Sequence, residues 1–180
     1  MPERRAFTIG HTTHAIDAFV GLLQEAGVRA VADVRRFPGS RRHPQFGRDA
    51  LAAELRSAGV GYAHLEALGG RRSVRPGSPN GGWQEAGFQG YADHMAGAEF
   101  AAGLEALEAL AAAQPTAVMC AEALWWQCHR RLVADALVAR GWEVEHIGPD
   151  GRRTAHELTP FAVTGDAAMP TYPAAQLRLG

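Results

Sequence analysis

The apolar residues of this chain come in short runs separated by stretches of helical spacing. That alternation constrains its fold more than any other feature. Residues 6–9 (AFTI), 30–34 (AVADV), 61–65 (GYAHL), 116–120 (TAVMC) and 143–147 (EVEHI) read as strands. Between them, Ile16, Phe19, Val20 and Leu23 recur at helical intervals, as do Leu51 with Leu55, and Met95, Leu104, Leu107 and Leu110. Strands that alternate with helices and are apolar along their length suit a mostly parallel sheet covered on both faces. The expected fold is therefore α/β: a single domain with a mostly parallel sheet of about five strands flanked by helices. Residues 1–150 read as that domain and residues 151–180 as an irregular C-terminal tail.

Local signals place the element ends. Thr12 or Thr13 is expected to cap the first helix, with Asp17 in its first turn. Gly27, Gly59 and Gly141 are expected stops. Helices are expected over residues 48–58 and 127–140, with one or two between 91 and 113. Residues 69–90 hold nine glycines and prolines without periodicity, which reads as a long functional or mobile loop.

No apolar run approaches the roughly 20 residues of a membrane span, so no membrane is expected. The first ten residues lack the apolar stretch of a signal peptide, and a cytoplasmic location is expected. Two cysteines eight positions apart then read as free thiols or ligands. They are expected to stay unbonded, because a strand end and a helix start need not bring the sulfurs together.

Charge adds a second constraint. All 18 basic residues are arginine, which codon bias in a GC-rich genome would explain. Their positions are more informative. Nine lie in residues 33–77, including Arg35, Arg36, Arg41 and Arg42, against four acidic residues, while the whole chain carries −1. A local basic loop system on a near-neutral chain suits an anionic ligand better than broad coating of nucleic acid.

Parallel strands align their C-terminal ends along one edge of a sheet, where α/β folds bind ligands. The residues just past the expected strands are His11, Asp33 and Arg35, His64 and Glu66, and Cys120 and Glu122. Residues 117–137 (AVMCAEALWWQCHRRLVADAL) are the densest chemically, running from a strand end to a helix start. Cys120 near a helix N-terminus and arginines is a candidate nucleophile, with a buried strand residue or a ligand as the alternatives. Glu122, flanked by Trp125 and Trp126, is a candidate general acid or base, with a salt bridge to Arg130 or Arg131 as the alternative. Asp33 and His11 are further acid/base candidates. His129 reads as a binding residue or a cap. One tryptophan of the pair is expected to be exposed, and Trp125 is assigned as a stacking surface for a base. The cysteines and histidines match no standard zinc spacing, so no cofactor is expected and a metal is disfavoured.

TIGH at residues 8–11, DVRRFPGSRRHPQF at 33–46, LGG at 68–70, GFQGYADHM at 87–95 and CAE…CHRR from 120 to 131 occur in order. Together they resemble an uncharacterised bacterial family, the domain-of-unknown-function family 488, over about residues 8–147. That family more often has Ser after TIGH, where this chain has Thr12. The resemblance implies a compact α/β domain with its signature residues at the loop ends.

The function expected is an enzyme, a hydrolase or group transferase, acting on an anionic substrate. A nucleotide or nucleic acid is the expected class. Arg35, Arg36, Arg41, Arg42, Arg130 and Arg131 would hold the anion, since a guanidinium binds phosphate bidentately. The alternatives are a non-catalytic nucleic-acid or phosphate-binding module and a cysteine-based redox or metal sensor.

Overall fold

The computed structural model describes residues 3–165 and 169–175. One sheet organises the chain. Its strands are β1 (Arg5–Gly10), β2 (Ala30–Asp33), β3 (Gly61–His64), β4 (Thr116–Cys120), β5 (Glu143–Ile147) and β6 (Arg153–Ala155). They lie in the order β3-β2-β4-β1-β5-β6, all parallel except β6, which pairs antiparallel with β5. The fold is α/β as expected, with six strands instead of five. The extra strand was illegible because its three residues are exposed and carry no apolar pattern.

The helices are α1 (Ile16–Glu25), α2 (Arg48–Ser57), α3 (Ala86–Met95), α4 (Ala98–Ala113) and α5 (Arg130–Ala139). Strand pleating divides the core between two faces. Phe7, Ile9, Ala117 and Met119 pack with Phe19 and Leu23 of α1 and Leu51 and Leu55 of α2. Ala6, Val118, Cys120 and Val144 pack with Met95, Leu104, Leu107, Leu132 and Leu137 from α3, α4 and α5.

This division creates a switch point. From β1 the chain steps over β4 to reach β2, and from β4 it steps over β1 to reach β5. The two crossovers run in opposite directions. Right-handed connections therefore put α1 and α5 on opposite faces and open a crevice between the C-terminal ends of β1 and β4. Across it the His11 N–H donates to the Cys120 carbonyl at 2.9 Å, and the Thr12 N–H to the Ala121 carbonyl at 3.0 Å. Gly10 lies against the Glu122 carbonyl so closely that any Cβ at position 10 would overlap it.

Several local expectations change. Neither Thr12 nor Thr13 caps α1. Ala15 occupies that position without a side-chain cap, and Thr12 turns through φ 40° instead. Residues 127–140 are not one helix: a 3₁₀ turn (Trp125–Gln127) precedes α5. Gly27 and Gly59 end α1 and α2 at φ 73° and 76°, the left-handed backbone that glycine adopts without a Cβ penalty. The loop after residue 69 is pinned. The Asp93 carboxylate accepts from the Arg75 N–H, the Ser78 hydroxyl and the Asn80 amide at 2.6–2.9 Å.

Among the described residues beyond 150 the chain holds β6 and an isolated antiparallel bridge between Val163 and Thr171, and it packs into the domain; residues 166–168 and 176–180 of the expected tail lie outside the described residues. The fully buried Tyr172 hydroxyl donates to Asp135 Oδ2 at 2.8 Å, and its N–H to Asn80 Oδ1 at 2.9 Å. No helix among the described residues is long and apolar enough to cross a membrane.

Candidate functional site

A cleft of about 1280 Å³ opens at the switch point. His11, Thr12 and Thr13 after β1, residues 35–43 after β2, and residues 120–131 after β4 supply most of its wall, with the loop before α3 closing it. The expected convergence at the strand ends thus brings together His11, Arg35, Arg36, Arg41, Arg42, Cys120, Glu122, His129 and Arg131. Asp33, Trp125 and Arg130 do not line the cleft.

Asp33 and Arg35 are one buried unit. Asp33 is fully buried and Arg35 is 8% exposed. Arg35 Nη2 donates to Asp33 Oδ2 at 2.7 Å, and Nε to Oδ1 at 2.9 Å. Arg35 Nη1 donates to the Phe46 carbonyl at 2.7 Å and faces His11 Nε2 at 3.4 Å. The Tyr62 hydroxyl completes the carboxylate at 2.5 Å. An arginine so satisfied has little left to offer an anion. Its work is to tie β2 to the loop that carries Arg41 and Arg42, so the assignment of Arg35 to the ligand and of Asp33 to acid–base chemistry is corrected.

His11 stacks on Phe46 at 4.3 Å, and its Nδ1–H donates to the Thr12 carbonyl at 3.0 Å. Burial, with the neighbouring Arg35 charge, takes its pKa down to about 4. A neutral ring with Nε2 turned to Arg35 organises the loop junction and is a weak base.

Arg130 is also structural. It is 1% exposed, donating from Nη1 to Thr8 Oγ1 at 3.2 Å and from Nη2 to the Glu122 carbonyl at 2.8 Å. Behind it runs a buried chain. Thr8 Oγ1 meets His146 Nδ1 at 2.6 Å, His146 Nε2 meets His156 Nδ1 at 2.8 Å, and His156 Nε2 meets Asp135 Oδ1 at 2.8 Å. Trp125 stacks on His146 at 4.2 Å with the rings nearly parallel. This packing covers one face of its ring, and Trp125 does not line the cleft as the stacking role given to it requires. The exposed partner is Trp126, at 46%, which does line the cleft.

The remaining arginines are different. Arg36, Arg41, Arg42, Arg71 and Arg131 line the cleft, and none of them has a carboxylate within salt-bridge distance among the described residues. Arg41, Arg42 and Arg71 are exposed. Two carboxylates, Glu85 and Glu122, face these five guanidinium groups, so the cleft is cationic. Exposed aromatic surface sits among them in Phe37, at 63%, and Trp126. Arg36 lies over the Phe37 ring at 5.5 Å and Arg131 over Trp83 at 5.0 Å. Among the described residues, Thr12 and Arg71 are the non-glycine residues at positive φ, and both line the cleft. Left-handed backbone on such residues costs on the order of 1–3 kcal/mol and concentrates at binding sites. The rest of the basic segment is dispersed. Arg72 reaches Glu99 at 3.5 Å, and Arg48 and Arg56 line a second cavity of about 410 Å³.

The thiols depart most from expectation. Cys120 and Cys128 are free, yet their Sγ atoms lie 2.7 Å apart. The 3₁₀ turn folds the chain back so that the start of α5 returns to the end of β4. His129 Nε2–H donates to the Val34 carbonyl at 2.9 Å, leaving Nδ1 facing Cys128 Sγ at 3.5 Å. Burial opposes ionisation of Cys128, but the Cys120 thiol, the Arg130 charge and the Arg130 N–H outweigh it and hold the Cys128 thiol below its usual range. Burial and the adjacent Cys128 push the Cys120 thiol well up. The more readily ionised sulfur is therefore Cys128, not Cys120. The adjacent histidine in the sequence was its one visible signal.

Glu122 is exposed on the cleft rim, and its N–H donates to Cys120 Sγ at 3.3 Å. Its carboxylate pairs with neither Arg130 nor Arg131. Among the described residues no group of three or more His, Cys, Asp and Glu side chains is placed to hold a metal ion.

With this geometry the chain can be compared with known proteins. The profile of the family described as domain of unknown function DUF488 matches residues 15–137. The chain belongs to this family. The matched span carries the basic loop after β2, the LGG and GFQGYADHM segments, and the Cys120-to-Arg131 turn, while TIGH lies before it. No curated protein and no solved structure matches the chain.

Proposed function

We propose that this DUF488 protein is an enzyme, a hydrolase or group transferase, acting on a phosphate-bearing substrate of the nucleotide or nucleic-acid class in the switch-point cleft. One observation carries the reading: five arginines without carboxylate partners face a cleft that also presents exposed aromatic rings. Guanidinium forks bind phosphate oxygens bidentately, and aromatic faces stack on bases of any identity. Arg36, Arg41, Arg42, Arg71 and Arg131 hold the anion in this reading, and Phe37 and Trp126 meet a base. Glu122 is the acid–base group, as the cleft carboxylate next to the thiols, its N–H donating to Cys120 Sγ at 3.3 Å. Cys128 replaces Cys120 as the candidate nucleophile, with His129 Nδ1 beside it. A cytoplasmic location accords with free thiols in this position.

The test separates binding from turnover. Arg41→Ala/Arg42→Ala should weaken binding of nucleotides or short oligonucleotides by at least about tenfold, through loss of two phosphate contacts. Wild-type affinity should fall with salt. Glu122→Gln should leave that affinity within about threefold while abolishing turnover of whichever probe the wild type converts. Retained turnover in Glu122→Gln removes Glu122 as the acid–base group, and binding without turnover of any probe by the wild type makes the protein a binding module. Unchanged binding in the double arginine variant removes the cleft as the anion site.

A further inference from the structure

We propose that Cys120 and Cys128 are a redox-modification site, a pair of cleft-floor thiols that a small hydroperoxide converts into a disulfide. The argument rests on the sulfur geometry and does not depend on what the cleft binds.

The two sulfurs come from a strand end and from the turn before a helix, and the fold holds them 2.7 Å apart. An S–S bond of about 2.05 Å needs a further approach of well under 1 Å. The surroundings assign different roles. Cys128 Sγ accepts the Arg130 N–H at 3.4 Å, which supports its negative form, and faces the unprotonated Nδ1 of His129 at 3.5 Å, which can take its proton. Cys120 has the Glu122 N–H at 3.3 Å and no comparable base. Cys128 is the attacking thiolate, in keeping with its depressed pKa, and Cys120 is the resolving thiol. Both are nearly buried, at 4% and 2% exposure, but both line the cleft. The oxidant must therefore be small enough to enter it.

The chemistry balances in two steps. The Cys128 thiolate attacks the outer oxygen of the hydroperoxide. The O–O bond breaks, and the alkoxide or hydroxide leaves and takes a proton. Cys128 becomes a sulfenic acid. Cys120 then attacks the Cys128 sulfur, the S–O bond breaks, and the departing hydroxide takes the Cys120 proton as water. The pair loses two electrons and the hydroperoxide gains them, giving alcohol (or water) and water. A dithiol reductant reverses the change by exchange, becoming a disulfide itself. Closing the bond joins the end of β4 to the turn before α5 and takes Cys128 away from His129.

Hydrogen peroxide added in near-stoichiometric amount to the native protein tests this. Titratable thiols, counted after denaturation, should fall from two to none, and the intact monomer should lose the mass of two hydrogens. Cys120→Ser should stop at a sulfenic acid on Cys128, trapped by a 1,3-diketone reagent. Cys128→Ser should slow oxidation by at least about tenfold. Two thiols still titrating after excess peroxide overturn the proposal, as does a disulfide between chains. Trapping on Cys120 with Cys128 untouched reverses the roles and overturns the assignment. The wild-type thiol count and mass stand alone should either variant fail to fold.

Discussion

Arg35→Ala should destabilise the protein by about 3–5 kcal/mol, read as a drop in the urea midpoint, because it leaves a buried carboxylate without its charge partner. Asp33 is fully buried and keeps only the Tyr62 hydroxyl and the backbone N–H of residue 35 once the guanidinium is gone. The same substitution orphans the Phe46 carbonyl, which accepts from Arg35 Nη1 at 2.7 Å. The loop that carries Arg41 and Arg42 then loses its anchor to β2. Weakened ligand binding in Arg35→Ala would follow from misplaced neighbours, whereas Arg41→Ala/Arg42→Ala acts without loss of stability. Asp33→Leu/Arg35→Met should lie closer to wild type than either single variant, since an apolar pair leaves no buried charge unmatched. If the double variant loses the sum of the two single losses, the residues are not coupled and this account is wrong.

Acid should unfold the protein earlier than its carboxylates alone would dictate. Burial, with the Arg35 charge, holds His11 at about 4. Burial, with the charges of His156 and Arg130, holds His146 at about 2. Burial also lowers His94 and His129. Each ring is neutral in the folded chain and takes a proton near pH 6.5 once unfolded. The folded state therefore binds fewer protons below that pH. Stability is fully present above about pH 6.5 and is lost as pH falls toward about 4 through His11, and further through His146. Each histidine contributes a slope of up to about 1.4 kcal/mol per pH unit in that window. Urea unfolding from about pH 7.5 to about pH 4.5 should show the decline. His146→Gln should flatten it even if the midpoint at neutral pH also drops, because glutamine has no proton to gain. An unaltered slope in both His146→Gln and His11→Gln would exclude these rings as its source.

The period of the apolar residues was enough to read the α/β class, since strand burial and helix spacing are local consequences of side-chain chemistry. β1 to β5 and α2 fall within a residue or so of the expected bounds. β6 escaped because an exposed edge strand need not be apolar. The sheet edge where the candidate residues gather was legible for the same reason. Parallel strands share one C-terminal edge, so residues just past each run had to approach one another.

What each residue does there was not legible, because that depends on partners far away in the chain. Arg35 and Arg41 are both arginines in one basic loop. Only the fold puts Asp33, Phe46 and His11 around the first and leaves the second without a carboxylate. Trp125 and Trp126 are neighbours in sequence, and His146, about twenty residues on, decides which of them turns inward. Composition and periodicity determined the sheet, its helices and the edge where chemistry gathers. Tertiary structure alone decided which cleft arginines lack a carboxylate partner among the described residues, which tryptophan is exposed, and that two thiols eight residues apart meet. Burial, partner satisfaction and sulfur contact are properties of space, and sequence distance does not set them.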